Sequence, residues 1–312
     1  MSSYPTPQNE DQASSVFNDP DHNPFGILKS RRLIVVIWIS VSAFYALRVL
    51  YALLGIWQII PSAQEDPITT PLLTIAIFTI ALFWVKRQRG LNVRYLLGTN
   101  RPKFSVFYGI MLVLSLLLFS LGISSFIFYL LSLSYPGYVS QLLEASNNLL
   151  DNTQSAFPQL YQALMLFLLL IYAPVVEELV FRGFLLQRWG IKWGVRRGLI
   201  ASSVLFGVLH INNPIGLTLF GLVMGLLYLR SQSLWVPIVC HSLNNLGAVG
   251  IDWLSKAAAG GQTSTVSDIQ EVGWMSLVLV AVSLPLLGWF IWRSWPKRAD
   301  TIPYLANMQK SL

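Results

Sequence analysis

Apolar stretches of membrane-spanning length recur along this chain at 33–60, 67–85, 104–133, 159–186 and 273–292, and about 20 such residues in a helix cross the hydrocarbon core of a bilayer. With 54% hydrophobic and only 11% charged residues over 312 positions, the chain cannot be spread as one ordinary soluble surface. Three further segments, 198–211, 215–229 and 234–251, are shorter or carry His and Asn, and are read as spans as well. The expected fold is all-α and integral to the membrane: a polytopic bundle of about eight transmembrane helices.

The cations give an independent check, because cytoplasmic loops hold an excess of Lys and Arg close to the membrane. Lys29, Arg31 and Arg32 precede the first span, and the next loop has only Glu65 and Asp66. Arg87, Arg89, Arg94 and Arg101 crowd the following connection, whereas 134–157 holds no cation. Arg188, Lys192, Arg196 and Arg197 come next, then Arg230, then Arg293, Lys297 and Arg298 after the last span. This alternation predicts both termini on the cytoplasmic or equivalent face, in a cell inner membrane or an organellar membrane. It also assigns the net charge of +7 to topology, so no nucleic-acid partner is expected.

The chain accordingly divides into a disordered cytoplasmic tail at 1–30, three accessory transmembrane helices at 31–133, a four-helix core at 157–253, and an outer loop, last span and cytoplasmic tail at 254–312. The polar tail contains no apolar leader, so no signal peptide is expected, and His22 within it reads as solvated. Gly260 and Gly261 mark a flexible outer loop at 257–262. Cys240 is the sole cysteine, which rules out an intrachain disulfide and a multi-cysteine metal site.

Ionisable side chains inside a span are costly and mark functional sites by default. Glu177 and Glu178 lie together within 159–186, followed one turn later by Arg182. Four positions apart, Glu178 and Arg182 can pair on one helical face. Glu177 points about 100° away and is free to face a cavity. His210 closes the segment that begins at Phe206, and His241 precedes Asn245 by one turn. Counted at about 1.5 Å per residue from the basic loops, Glu177, His210 and His241 lie at comparable depth. They can therefore converge, with Asn245, in a cavity that this counting places within reach of the cytoplasmic side.

The run Glu177-Glu178-Leu-Val-Phe-Arg182, then Phe206-x-x-x-His210, then His241-x-x-x-Asn245 resembles the three signature motifs of the CPBP intramembrane protease family. That family comprises CAAX-prenyl endoproteases of the Ras-converting type and bacteriocin-processing, Abi-like proteins. The resemblance implies an intramembrane endopeptidase in which Glu177 and His210 activate water while His241 and Asn245 polarise the scissile carbonyl. Glu178, Arg182 and Phe206 are then supporting residues.

Two chemistries fit the resemblance. In a metalloprotease, Glu177, His210 and His241 would bind Zn with one position open to water. In a glutamate-type enzyme no metal is needed, and this is the preferred reading, since the His-Glu-x-x-His zinc helix is absent. Expected partners are membrane lipid and a protein or peptide substrate, a prenylated C-terminus being one class. Outside proteolysis, the same polar residues could serve a transporter or proton relay, with Arg48 as a counter-charge, or an inactive membrane scaffold.

Overall fold

The computed structural model describes residues 23–27, 30–56, 91–98, 105–147, 157–210, 213–258, 264–297 and 299–311, with residue 260 and scattered positions between 72 and 87. Among these residues the ordered elements are helices and none is a strand. After a single helical turn at Pro24–Ile27 they are, in chain order, α1 (Ser30–Ile56), the short α2 (Val93–Leu97), α3 (Val106–Ser134), α4 (Pro136–Asn147) and α5 (Pro158–Trp193). Then come α6 (Val195–Leu209), α7 (Pro214–Ser231), α8 (Trp235–Ala258), α9 (Val266–Ser294) and the short α10 (Pro303–Gln309).

Local chemistry sets the boundaries. The Ser105 side chain accepts the Tyr108 N–H at the start of α3, and Asn213 does the same for Gly216 ahead of Pro214 in α7, both orphan-donor caps. Gly194, at φ +88°, provides the left-handed link that reverses the chain between α5 and α6. α6 and α7 form a close hairpin: a Cβ on Gly207 would collide with Thr218 and the Pro214 backbone, the small-residue packing that brings membrane helices together.

Among the described residues α3, α5, α7 and α9 are long and apolar enough to cross a membrane, and a membrane-embedded helical bundle accounts for them. The eight-span expectation is supported only at those four places. α6 has 15 residues, about 22 Å against a hydrocarbon core of about 30 Å. The expected span at 67–85 and the tail with His22 fall largely or wholly outside the described residues, and so does the Arg48 side chain. The stretch 134–157, expected as a loop, contains α4.

Two apolar clusters hold the bundle around the site. The larger joins α3, α5, α6, α7 and α9 through residues such as Leu116, Leu185, Leu199, Phe220 and Leu287. The smaller collects Phe25, Leu96, Phe184, Val195, Tyr304 and Leu305 beneath the cation-rich end of the bundle. Hydrogen bonds tie that second cluster together: Asn92 N–H to Tyr304 Oη (3.0 Å), Tyr304 N–H to Gln187 Oε1 (2.8 Å), and Tyr228 Oη–H to the Leu96 carbonyl (2.8 Å). Arg188 donates to the Phe25 carbonyl and Arg196 to that of Pro296.

Candidate active site

The two glutamates diverge as their spacing predicts. Glu178 is fully buried, and its Oε1 accepts from Arg182 Nη1 at 2.8 Å; Arg182, itself buried, also donates to the Gly221 carbonyl on α7. The ring of Phe206 lies 4.7 Å from the Arg182 guanidinium carbon, adding a cation–π contact where water is excluded. A buried carboxylate paired in this way locks α5 against α6 and α7.

Glu178 does a second thing that the sequence alone did not reveal. Its Oε1 also accepts from His241 Nδ1 at 2.9 Å, which leaves Nε2 as the free ring nitrogen. That Nε2 stands 3.8 Å from Glu177 Oε2. From α6, His210 donates Nδ1–H to the Phe206 carbonyl at 2.7 Å and aims its own Nε2 at the same Glu177 oxygen, 4.0 Å away. Phe206 and Phe220 wall the pair, with ring centroids 4.5 Å from His210 and 4.8 Å from His241 respectively. Each imidazole is thus fixed through Nδ1 and presents Nε2 to one carboxylate.

Asn245 is placed by an irregularity in α5. Residues Leu168–Tyr172 and Leu179–Leu186 are π-helical, flanking the glutamates on both sides; such segments are rare and gather at functional sites. In the first, Ala173 N–H bonds the Leu168 carbonyl, and the next residue in that register, Pro174, has no N–H. The Leu169 carbonyl is left without an intrahelical donor, and Asn245 Nδ2 fills it at 2.8 Å. The second amide hydrogen of Asn245 remains available to the cavity.

That cavity has a volume of about 390 Å³ and is lined by Glu177, His210, His241 and Asn245 together with Leu169, Phe206, Phe220, Ala248 and Asp252 among others. The structure therefore gathers the four expected site residues around one space, with Phe206 in its wall and Glu178 and Arg182 behind it. On α5 and α8 its lining extends from Glu177 to Leu169 and from His241 to Asp252, away from Arg188 and Arg230. Sequence reasoning missed Asn244, which is buried, lines the cavity and has an Oδ1 without a hydrogen-bond partner. It also missed Asp252, although His241, Asn245, Ala248 and Asp252 fall at the spacing of a single helical face.

Among the described residues no group of three or more His, Cys, Asp or Glu side chains is arranged to hold a metal ion. Glu177, His210 and His241 nevertheless face one another around a single Glu177 oxygen, and no step of the reaction proposed below is routed through a metal.

The sequence pattern of the type II CAAX prenyl endopeptidase Rce1-like family matches residues 159–247, which holds the two glutamates, both cavity histidines and Asn245. The candidate membrane peptidase YdiL of Bacillus subtilis (strain 168) is 28% identical over 128 residues, covering 40% of this chain and 52% of that protein. The chain thus spans about half the length of this curated relative. No solved structure gives a significant match. Residues 159–247 are thus similar to the type II CAAX prenyl endopeptidase Rce1-like family.

Proposed function

We propose that the protein is an intramembrane endopeptidase of glutamate type. The observation that carries this reading is the approach of His210 Nε2 and His241 Nε2 to one oxygen of Glu177, at 4.0 and 3.8 Å, in a cavity. Those separations are too long for direct hydrogen bonds and suit a bridging water. Glu177, assisted by His210, takes a proton from that water as its oxygen attacks the carbonyl carbon of the scissile bond. The oxyanion that forms is met by Asn245 Nδ2–H and by His241, whose imidazolium form, held at Nδ1 by the Glu178 carboxylate, donates through Nε2. The proton held by Glu177 then passes to the leaving amide nitrogen, and the C–N bond breaks. The names of the matching family and of the Bacillus relative support a peptide substrate; the prenylated C-terminus that the family name carries is one class within it.

The test is cleavage by purified protein in detergent or liposomes. Glu177→Gln and His210→Ala are expected to abolish turnover with unchanged folded yield, and Asn245→Ala to reduce kcat by about 10²- to 10³-fold, as loss of one oxyanion donor does elsewhere. Full turnover in Glu177→Gln would remove the proposed base. Activity is further expected to survive prolonged 1,10-phenanthroline; loss on chelation with recovery on adding zinc would replace the glutamate mechanism by a metal-dependent one.

A further inference from the structure

The cavity holds one polar side chain that neither the packing nor the proposed reaction employs. Asn244, on α8, is 9% exposed and lines the cavity, and its Oδ1 meets no hydrogen-bond donor among the described residues. A buried amide oxygen left unpaired is unfavourable and uncommon in folded proteins. The polar neighbours are engaged: Asn245 Nδ2 holds the Leu169 carbonyl, and Asp252 pairs with Lys256 at 3.0 Å. An acceptor kept free in such a place is fitted to a donor that arrives from outside the chain.

Helical geometry gives its direction. Successive residues turn about 100°, so Asn244 and Asn245 flank His241 on opposite sides, about 60° and 40° round the helix. On the Asn245 side stands α5, reached at the Leu169 carbonyl. On the Asn244 side stands α3, where a Cβ added to Gly247 would meet Leu117. The α6–α7 hairpin is fastened to the middle of α3 by Asn213 Nδ2, which donates to Ser120 Oγ at 2.6 Å, and it lends Leu217 and Phe220 to the lining.

A peptide drawn past Glu177 must give up the water on its main-chain N–H groups, and apolar walls such as Leu217 and Phe220 return nothing for it. Asn244 lies about 4.5 Å along α8 from His241. An extended chain advances about 3.3 Å per residue. The Asn244 amide is therefore level with main chain one or two residues from the bond that His241 meets.

We propose, resting on the endopeptidase reading, that Asn244 is a substrate-binding residue whose Oδ1 accepts a main-chain N–H of an extended peptide, one or two residues from the scissile bond. Every residue except proline carries that N–H. The contact thus selects extended backbone and excludes proline at one position, without reading a side chain.

The experiment is binding of a fluorescein-labelled, farnesylated CAAX peptide to the full chain in detergent, read by anisotropy in a Glu177→Gln background so that no cleavage intervenes. In a companion series each main-chain N–H of the peptide is replaced in turn by an ester oxygen, which deletes one donor and keeps the extended shape. One ester is expected to weaken binding about tenfold. Asn244→Leu in the same background should weaken the parent peptide by a similar factor and make that ester silent. Its Tm should be unchanged or higher, because an unpaired buried amide has given way to an apolar side chain of like size. Independent effects of the ester and of Asn244→Leu, an ester series without effect, a lowered Tm with unchanged affinity, or no saturable binding of the parent peptide overturns the proposal. Since no readout is cleavage, its failure is distinguishable from failure of the endopeptidase reading, which cleavage by the wild-type chain tests.

Discussion

At the scale of single residues, the geometry separates two adjacent carboxylates into different tasks. A helix turns about 100° per residue, so Glu177 and Glu178 could not both face the cavity, and the pairing of Glu178 with Arg182 was legible from their four-residue spacing. The bond from His241 to Glu178 was not, because it depends on α8 packing against α5 across 63 residues. Glu178 consequently has a structural and a positioning part. Glu178→Gln is expected to leave Arg182 as an uncompensated buried cation, at a cost of about 3–5 kcal/mol, read as lower folded yield and Tm. The double variant Glu178→Gln/Arg182→Met removes that charge and should recover most of the yield, since exchanging both partners of a buried pair is often near neutral. It should not recover kcat, because His241 still lacks its carboxylate. Recovery of both would assign Glu178 a structural part alone.

At the scale of elements, α5 is the part whose function depends on leaving the α-helical register. Apolar length and the glutamates placed this helix in the sequence, but its π-helical segments left no pattern to read, since a shift from i−4 to i−5 bonding alters no side-chain periodicity that an apolar run displays. The one sequence mark is Pro174. Without an N–H it cannot serve the Leu169 carbonyl, and Asn245 does so instead. Pro174→Ala restores a donor that competes for that carbonyl. Loss of one hydrogen bond of about 1 kcal/mol predicts an approximately fivefold fall in kcat through looser placement of Asn245, with folded yield unchanged or higher because a helix-interior proline is gone. An unchanged kcat would show that Asn245 is held by its surroundings without the Leu169 carbonyl. The α6–α7 hairpin was legible in part: its His210 terminus and Pro214 start were visible, whereas its fastening to Ser120 at mid-height on α3 was not.

At the scale of the whole molecule, the alternation of cations and the fold meet at one end of the bundle. Arg188, Arg196 and Arg230 hydrogen-bond there to Phe25, Pro296 and Ser294, so residues from both ends of the chain are gathered beside the loops that the charge pattern assigns to the cytoplasm. Their closure of that end was illegible in the sequence, because its contacts join positions such as Asn92 and Tyr304, 212 residues apart, and α10 is too short to signal itself. The buried faces of Tyr304, Leu305 and Met308 against Phe25, Leu96 and Phe184 make α10 part of the fold and not a tail. Removing residues 301–312 would expose that apolar surface and free the Gln187 Oε1 that Tyr304 N–H now satisfies. Burying a large apolar side chain contributes about 1.5–3 kcal/mol, so loss of three of them is expected to lower Tm by well over ~5 °C in detergent. Tyr304→Ala alone should reproduce about a third of that loss. A truncated protein with unchanged Tm would mean that α10 rests on the bundle without stabilising it, and that the cation-rich end is closed by α2 and Phe25 instead.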